Sequence, residues 1–141
     1  MDLLKGIADH IVVPSVVEEE ISRRGALDRT VTLLKSTNWI HVVPACPIPN
    51  AIMEWGLGPG ESAVLAYARM TPVTEAIIDD LLGRKCAKVL GIPVRGTLGI
   101  VLKAKKDGRI SSARVVMEDL IKAGLYLSRS ILDAALKRVS E

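Results

Sequence analysis

The sequence predicts an α/β fold of one domain, residues 1–141, in which a parallel sheet is flanked by helices. Three observations predict it. Short apolar runs alternate with longer amphipathic stretches, as they do when each strand is followed by a crossover helix. The amphipathic stretches carry helix start and stop signals in the right order. No internal repeat, low-complexity tract or Ser/Gly-rich linker divides the chain, and a chain of 141 residues is long enough to bury a core of its own.

The elements follow in chain order. MDLLKGIAD reads as the end of a helix, and HIVVP as a short strand closed by Pro14. Ser15 is placed to cap the helix VVEEEISRRG, whose acids lead and whose arginines trail, the order a helix dipole favours. ALDRTVTLLKST continues as helix, and WIHVVPA is a strand with apolar alternation. After the Pro-rich loop CPIPN, a Gly-Pro-Gly turn opens the helix LGPGESAVLAYARM. TEAIIDD is a strand, LLGRKCAKVLG a helix ending at Gly91, and IPVRGT a strand or extended piece. TLGIVLKAKKDG is a helix closed by Gly108, and two further helices, ISSARVVMEDLIKAG and LSRSILDAALKRVS, have Ser112 and Ser128 as N-caps.

Composition narrows the function. Hydrophobic residues make up 49% and charged residues 25%, the profile of a globular chain. No apolar run reaches the length of a membrane span, and MDLLKGIADH lacks the basic-then-apolar layout of a secretory signal. Cys46 and Cys86 form neither a disulfide framework nor zinc spacing, so both read as reduced and structural, and the expected compartment is the cytosol. A net charge of +3 permits a nucleic-acid partner without demanding one. Aromatic residues are only 3%, with no Phe, which argues against a base-stacking platform. Any contact with nucleic acid then falls to phosphates, and to a metal.

In parallel α/β sheets, sites lie beyond the carboxyl ends of the strands. Asp79 and Asp80 end the apolar run Ala76-Ile77-Ile78, Glu61 lies in the first turn after Gly58-Pro59-Gly60, and Glu20 lies in the helix after HIVVP. Carboxylates gathered on one rim repel one another unless a cation sits among them. Oxygen ligands without His or Cys suit Mg²⁺ or Mn²⁺. Such a metal activates water and neutralises phosphate. Plainer readings stand beside this one. Glu61 is favoured near a helix N-terminus by the dipole alone, Glu18, Glu19 and Glu20 form a solvated turn, Asp80 and Arg84 have ion-pair spacing, and Asp79 is placed to cap the next helix. His10 and His41 fall on strands and read as structural; Met53, Met70 and Met117 read as core filler; Lys103, Lys105, Lys106 and Arg109 read as a solvated basic face.

Four patterns carry a resemblance: IVVPSVVEEEI, LGPGESAVLAYA, IIDDLLGRKCAKVLGIPV, and RGTLGIVLKAKKDGRI followed by two C-terminal helices. Over nearly its whole length the chain resembles PIN-domain proteins, and more narrowly an archaeal and bacterial PIN-like subgroup related to toxin ribonucleases. The resemblance implies a rim of about four acids binding Mg²⁺ or Mn²⁺. The catalytic positions then match Glu20 (or Glu19), Glu61, Asp79 and Asp80, with Glu61 and Asp79 as metal ligands. Arg84, Arg95 and Thr97 are the matching candidates for contact with RNA. The implied partners are RNA, an antitoxin-like protein that inserts a side chain into the acidic pocket, and further copies of the chain in a homo-oligomer. The implied function is a metal-dependent endoribonuclease; a non-catalytic module for protein association or RNA binding is the alternative.

One departure bears on activity. PIN domains open on a strand ending in Asp, whereas MDLLKGIADH resembles the tail of the helix that follows it, and Asp2 sits in helical context. The fold expected is therefore N-terminally truncated, lacking one metal ligand and one central strand. A start codon placed too late, a partner chain that fills the gap, or a degenerate member would each account for it.

Overall fold

Among the described residues four short strands pair two by two. β1 (Ile11–Pro14) runs parallel to β2 (Ile40–Val43), with Ile11 opposite Ile40 and Pro14 opposite Val43. β3 (Ala76–Ile77) runs parallel to β4 (Val94–Arg95), and an Ile78 N–H to Arg95 carbonyl bond of 3.0 Å carries the pairing one residue further. The computed structural model in which these pairs are seen describes residues 2–141. Parallel strands flanked by helices are what the sequence predicts; they form two separate pairs rather than one continuous sheet.

Helices fill the connections. α1 (Asp2–Lys5) precedes β1, while Met1, expected in the same helix, lies outside the described residues. α2 (Ser15–Ser22) and α3 (Arg29–Ser36) link β1 to β2. α4 (Asn50–Met53) and α5 (Pro59–Met70) lead to β3, and α6 (Leu81–Val89) joins β3 to β4. α7 (Thr97–Lys106), α8 (Ala113–Lys122) and α9 (Arg129–Lys137) complete the chain. Among the described residues no helix is long and apolar enough to cross a membrane.

The chain gathers into two compact units, Ala8–Arg95 and a second made of Met1–Ile7 with Gly96–Glu141. In the strand-bearing unit the core is Ile52, Leu65, Ala66, Ala76, Ile78, Cys86, Ala87 and Ile92. α5 packs against β1 and β3, one strand of each pair. Its sequence suits this position: Pro59 at the first helical turn fixes a helical φ without wasting an N–H, and the small residues Gly60, Ser62, Ala63 and Ala66 are buried, so neighbours approach closely. Burial pushes the Cys86 thiol above its ordinary pKa, which keeps it protonated and inert, as a structural cysteine should be.

The helical unit closes over Val101, Ala113, Met117, Leu132, Leu136 and Val139, with Leu3 packed at its edge. Ser112 and Ser128 cap α8 and α9 as the sequence predicts, accepting from the N–H groups of Val115 (3.2 Å) and Ile131 (3.4 Å).

Several local expectations are corrected. Ser15 is the first residue of α2 and not its cap; Pro14, already locked at φ −60°, takes the cap position without a side-chain bond. The stretch 23–28 is not helical: Gly25 at φ +100° turns the chain, and Asp28 restarts it as the cap of α3 through a 2.8 Å bond from Thr30 N–H. The loop after β2 contains the short helix α4. Val73, at φ +61°, holds a left-handed conformation that a β-branched residue resists.

Candidate acidic site

The N-terminus of α5 is where two of the expected acids come together. The first N–H groups of a helix have no partner within it, and Glu20, in the last turn of α2, supplies one: its Oε1 accepts from Gly60 N–H at 3.1 Å. The approach depends on the absence of a side chain at Gly60, where a Cβ would stand 2.7 Å from Glu20 Oε2. Glu61, one residue on, turns its Oε2 back over Gly58, where a Cβ would stand 2.5 Å away. The Gly-Pro-Gly turn thus provides two positions without a Cβ, and one carboxylate lies over each. Both acids sit at the positive end of a helix of 12 residues, which offsets part of their mutual repulsion. Both register alternatives on α2 are exposed, and Glu20 is the one whose side chain reaches α5.

Asp79 and Asp80 follow Ile78 and are both exposed. They differ in use. Asp80 caps α6, accepting from Gly83 N–H at 2.8 Å, so the cap lies one residue beyond Asp79. Arg84, expected near RNA or in a pair with Asp80, folds back on the strand end: its Nη1 donates to the carbonyls of Ile78 (3.4 Å) and Asp79. Arg95 pairs with Glu75 across the β3–β4 ladder at 2.7 Å, both side chains being about a third exposed. Thr97 is the first residue of α7, in the helical unit.

Mg²⁺ and Mn²⁺ take several oxygen ligands at once. Among the described residues no group of three or more His, Cys, Asp or Glu side chains is placed to hold a metal ion. His10 and His41 meet with ring centroids 5.6 Å apart beside the β1–β2 pair. The close role of Gly60 was hidden from sequence reading, which took Gly-Pro-Gly only as a turn; the signal was a glycine placed inside the first turn of an otherwise strong helix, directly before Glu61.

Parallel strands connected through helices, with acids at the strand-to-helix ends and at the start of the central helix, define an α/β protein of PIN-like architecture. The chain belongs to the PIN-domain family, whose model matches residues 1–141. Proteins of this family are generally nucleases and typically depend on a divalent metal. Comparison with curated proteins and with solved structures found no match.

Proposed function

We propose that this PIN-domain chain is a metal-dependent ribonuclease of toxin type whose acidic site is completed by one further strand. The observation that carries the reading is the meeting of Glu20 and Glu61 at the start of α5. Mg²⁺ is commonly held by one or two carboxylates together with waters and substrate phosphates, and Asp79, just beyond β3, is the proposed further ligand. The strand pairs support the need for another strand. Among the described residues β1 pairs with β2 alone and β3 with β4 alone, while α5 packs against both β1 and β3. Apolar strand residues are left in solvent, with Val42 at 42% and Ile77 at 47% exposure. An apolar strand running between β1 and β3 would satisfy both edges and, ending in Asp, would bring a further carboxylate to the rim. When bound, the cation would supply the activated water and the charge that neutralises a phosphate. RNA is the proposed substrate, an antitoxin-like protein the proposed inhibitor, and the cytoplasm the proposed compartment. The alternative is a non-catalytic PIN-like module for RNA binding or protein association.

The test is cleavage of single-stranded RNA with Mn²⁺. Residues 1–141 are expected to cut weakly or not at all, since losing one ligand or its support commonly costs about 10–100-fold at a metal site. A version extended at its N-terminus by an apolar strand ending in Asp is expected to cut, and Asp79→Asn or Glu61→Gln in that version to abolish cutting. If the extended protein binds RNA without cutting it, the non-catalytic reading replaces this one.

A further inference from the structure

The cations expected at RNA are engaged inside the protein, Arg84 on backbone carbonyls and Arg95 on Glu75. Elsewhere Lys103 pairs with Asp107, Lys105 with Glu141 and Arg114 with Asp133. The turn between α2 and α3 is different. Within Arg23-Arg24-Gly25-Ala26-Leu27-Asp28-Arg29, all three arginines are exposed and none has an ion-pair partner among the described residues. The stretch holds one carboxylate, and that of Asp28 is taken up by the Thr30 N–H as the cap of α3. Leu27 is 101% exposed, so packing does not explain the segment either.

Helix electrostatics accounts for two of the arginines and fails for the third. Arg23 and Arg24 follow the C-terminal end of α2, where a cation is favoured. Arg29 is the first residue of α3, at the positive end of a helix with no acid in its first turn, where a cation is disfavoured. The capping Asp28 places one carboxylate beside Arg29, which leaves an excess of two cations in the turn that a further anion held between the helix ends would balance. Guanidinium groups suit phosphate in particular, because their planar fork of donors matches its oxygens. The location matters too. Arg23 and Arg24 come three and four residues after Glu20, directly beyond the end of α2.

We infer that the α2–α3 turn is a phosphate-binding loop for single-stranded RNA, in which Arg23, Arg24 and Arg29 hold successive backbone phosphates and lead the strand past Glu20. Leu27 lies against a base or ribose face, the contact left to a chain with so few aromatic side chains. The inference rests on the RNA-directed reading of the acidic site, but it concerns binding and needs no metal.

The experiment measures binding of a fluorescein-labelled oligouridylate by anisotropy in EDTA over a series of salt concentrations. The triple variant Arg23→Gln, Arg24→Gln, Arg29→Gln is compared with the wild type and with Lys122→Gln, Lys137→Gln, Arg138→Gln, a control of equal charge change at exposed positions. Each lost phosphate contact should lower the slope of log affinity against log salt by about 0.7, or about 2 for three, and affinity near physiological salt should fall roughly 10- to 100-fold. The control should shift affinity by less than the triple variant and leave the slope close to that of the wild type. Circular dichroism of the triple variant checks that it is folded; should it not be, the single Arg29→Gln, expected to lower the slope by about 0.7, takes its place. The inference is overturned if the loop variant behaves as the control does, or if the wild type does not bind the probe. RNA bound through this loop but never cut, even by the strand-extended protein with Mn²⁺, leaves the inference standing and removes the nuclease reading. Cutting that persists with an unchanged KM in the loop variant does the reverse.

Discussion

The carboxylate of Glu141 accepts from the Ser112 hydroxyl at 2.7 Å, from Ala113 N–H at 2.6 Å and from Arg114 N–H at 3.3 Å, with the Lys105 ammonium 3.6 Å away. Those groups lie at the start of α8, so the side chain neutralises donors that the helix leaves unpaired. The Ser112 hydroxyl above all, then the Ala113 N–H, hold the Glu141 carboxyl at about 2, against an ordinary value of 4.5. A depressed carboxylate pKa means that the contribution to stability is complete above pH 4.5 and is lost as pH falls toward 2. Glu141→Gln is therefore expected to unfold at lower urea concentration than the wild type at neutral pH, and the difference to shrink as the pH drops through that window. Urea midpoints measured across the acid range check both the sign and the window; a gap that stays constant with pH would mean that the charge of Glu141 does nothing. Nothing in the sequence pointed to this residue, because its partners lie 27 to 29 positions away and only the packing of α9 brings them together.

Among the elements, α6 gives the sharpest expectation. Asp80→Ala removes the acceptor of Gly83 N–H and should cost about 0.5–2 kcal/mol, while Asp80→Asn, which keeps an acceptor, should cost less. Chemical denaturation of the two variants separates a capping role from a purely electrostatic one, which would make them equivalent. Much of this scale was legible. β1, α5, α7 and the two serine caps in the C-terminal region were read from apolar spacing and cap chemistry. What escaped reading depended on competition between local signals. Ser15 is a good cap residue, but Pro14 before it already has the backbone shape of a cap. Arg24, Gly25 and Asp28 end one helix and begin another within a few residues, and the apolar pattern on both sides suggested a single long one. The length of a strand depends on its neighbours, so TEAIIDD reads as seven strand residues and forms a two-residue ladder. The acids fared similarly. The positions of Glu61 and Asp80 at helix starts could be read from sequence, whereas the contact of Glu20 with Gly60 and of Arg84 with the strand-end carbonyls could not.

At the scale of the whole molecule, unpaired strand edges and exposed apolar residues call for a partner. The chain is therefore expected to self-associate, and sedimentation velocity at micromolar concentration should show a species larger than a monomer; one sharp monomer boundary independent of concentration would count against it. The arrangement of the two units carries a separate consequence, for the order of events during synthesis. Leu3 belongs to a core whose other members begin at Leu98 and run to Val139, while the residues from Ala8 to Arg95 gather into a unit of their own. A ribosome adding roughly 5–20 residues per second takes on the order of ten seconds to travel from one end of that core to the other. The strand-bearing unit is complete in sequence only once Arg95 has been added, and Leu3 stays without most of its core for longer still. The core against which Leu3 packs is whole only after Val139 has been added.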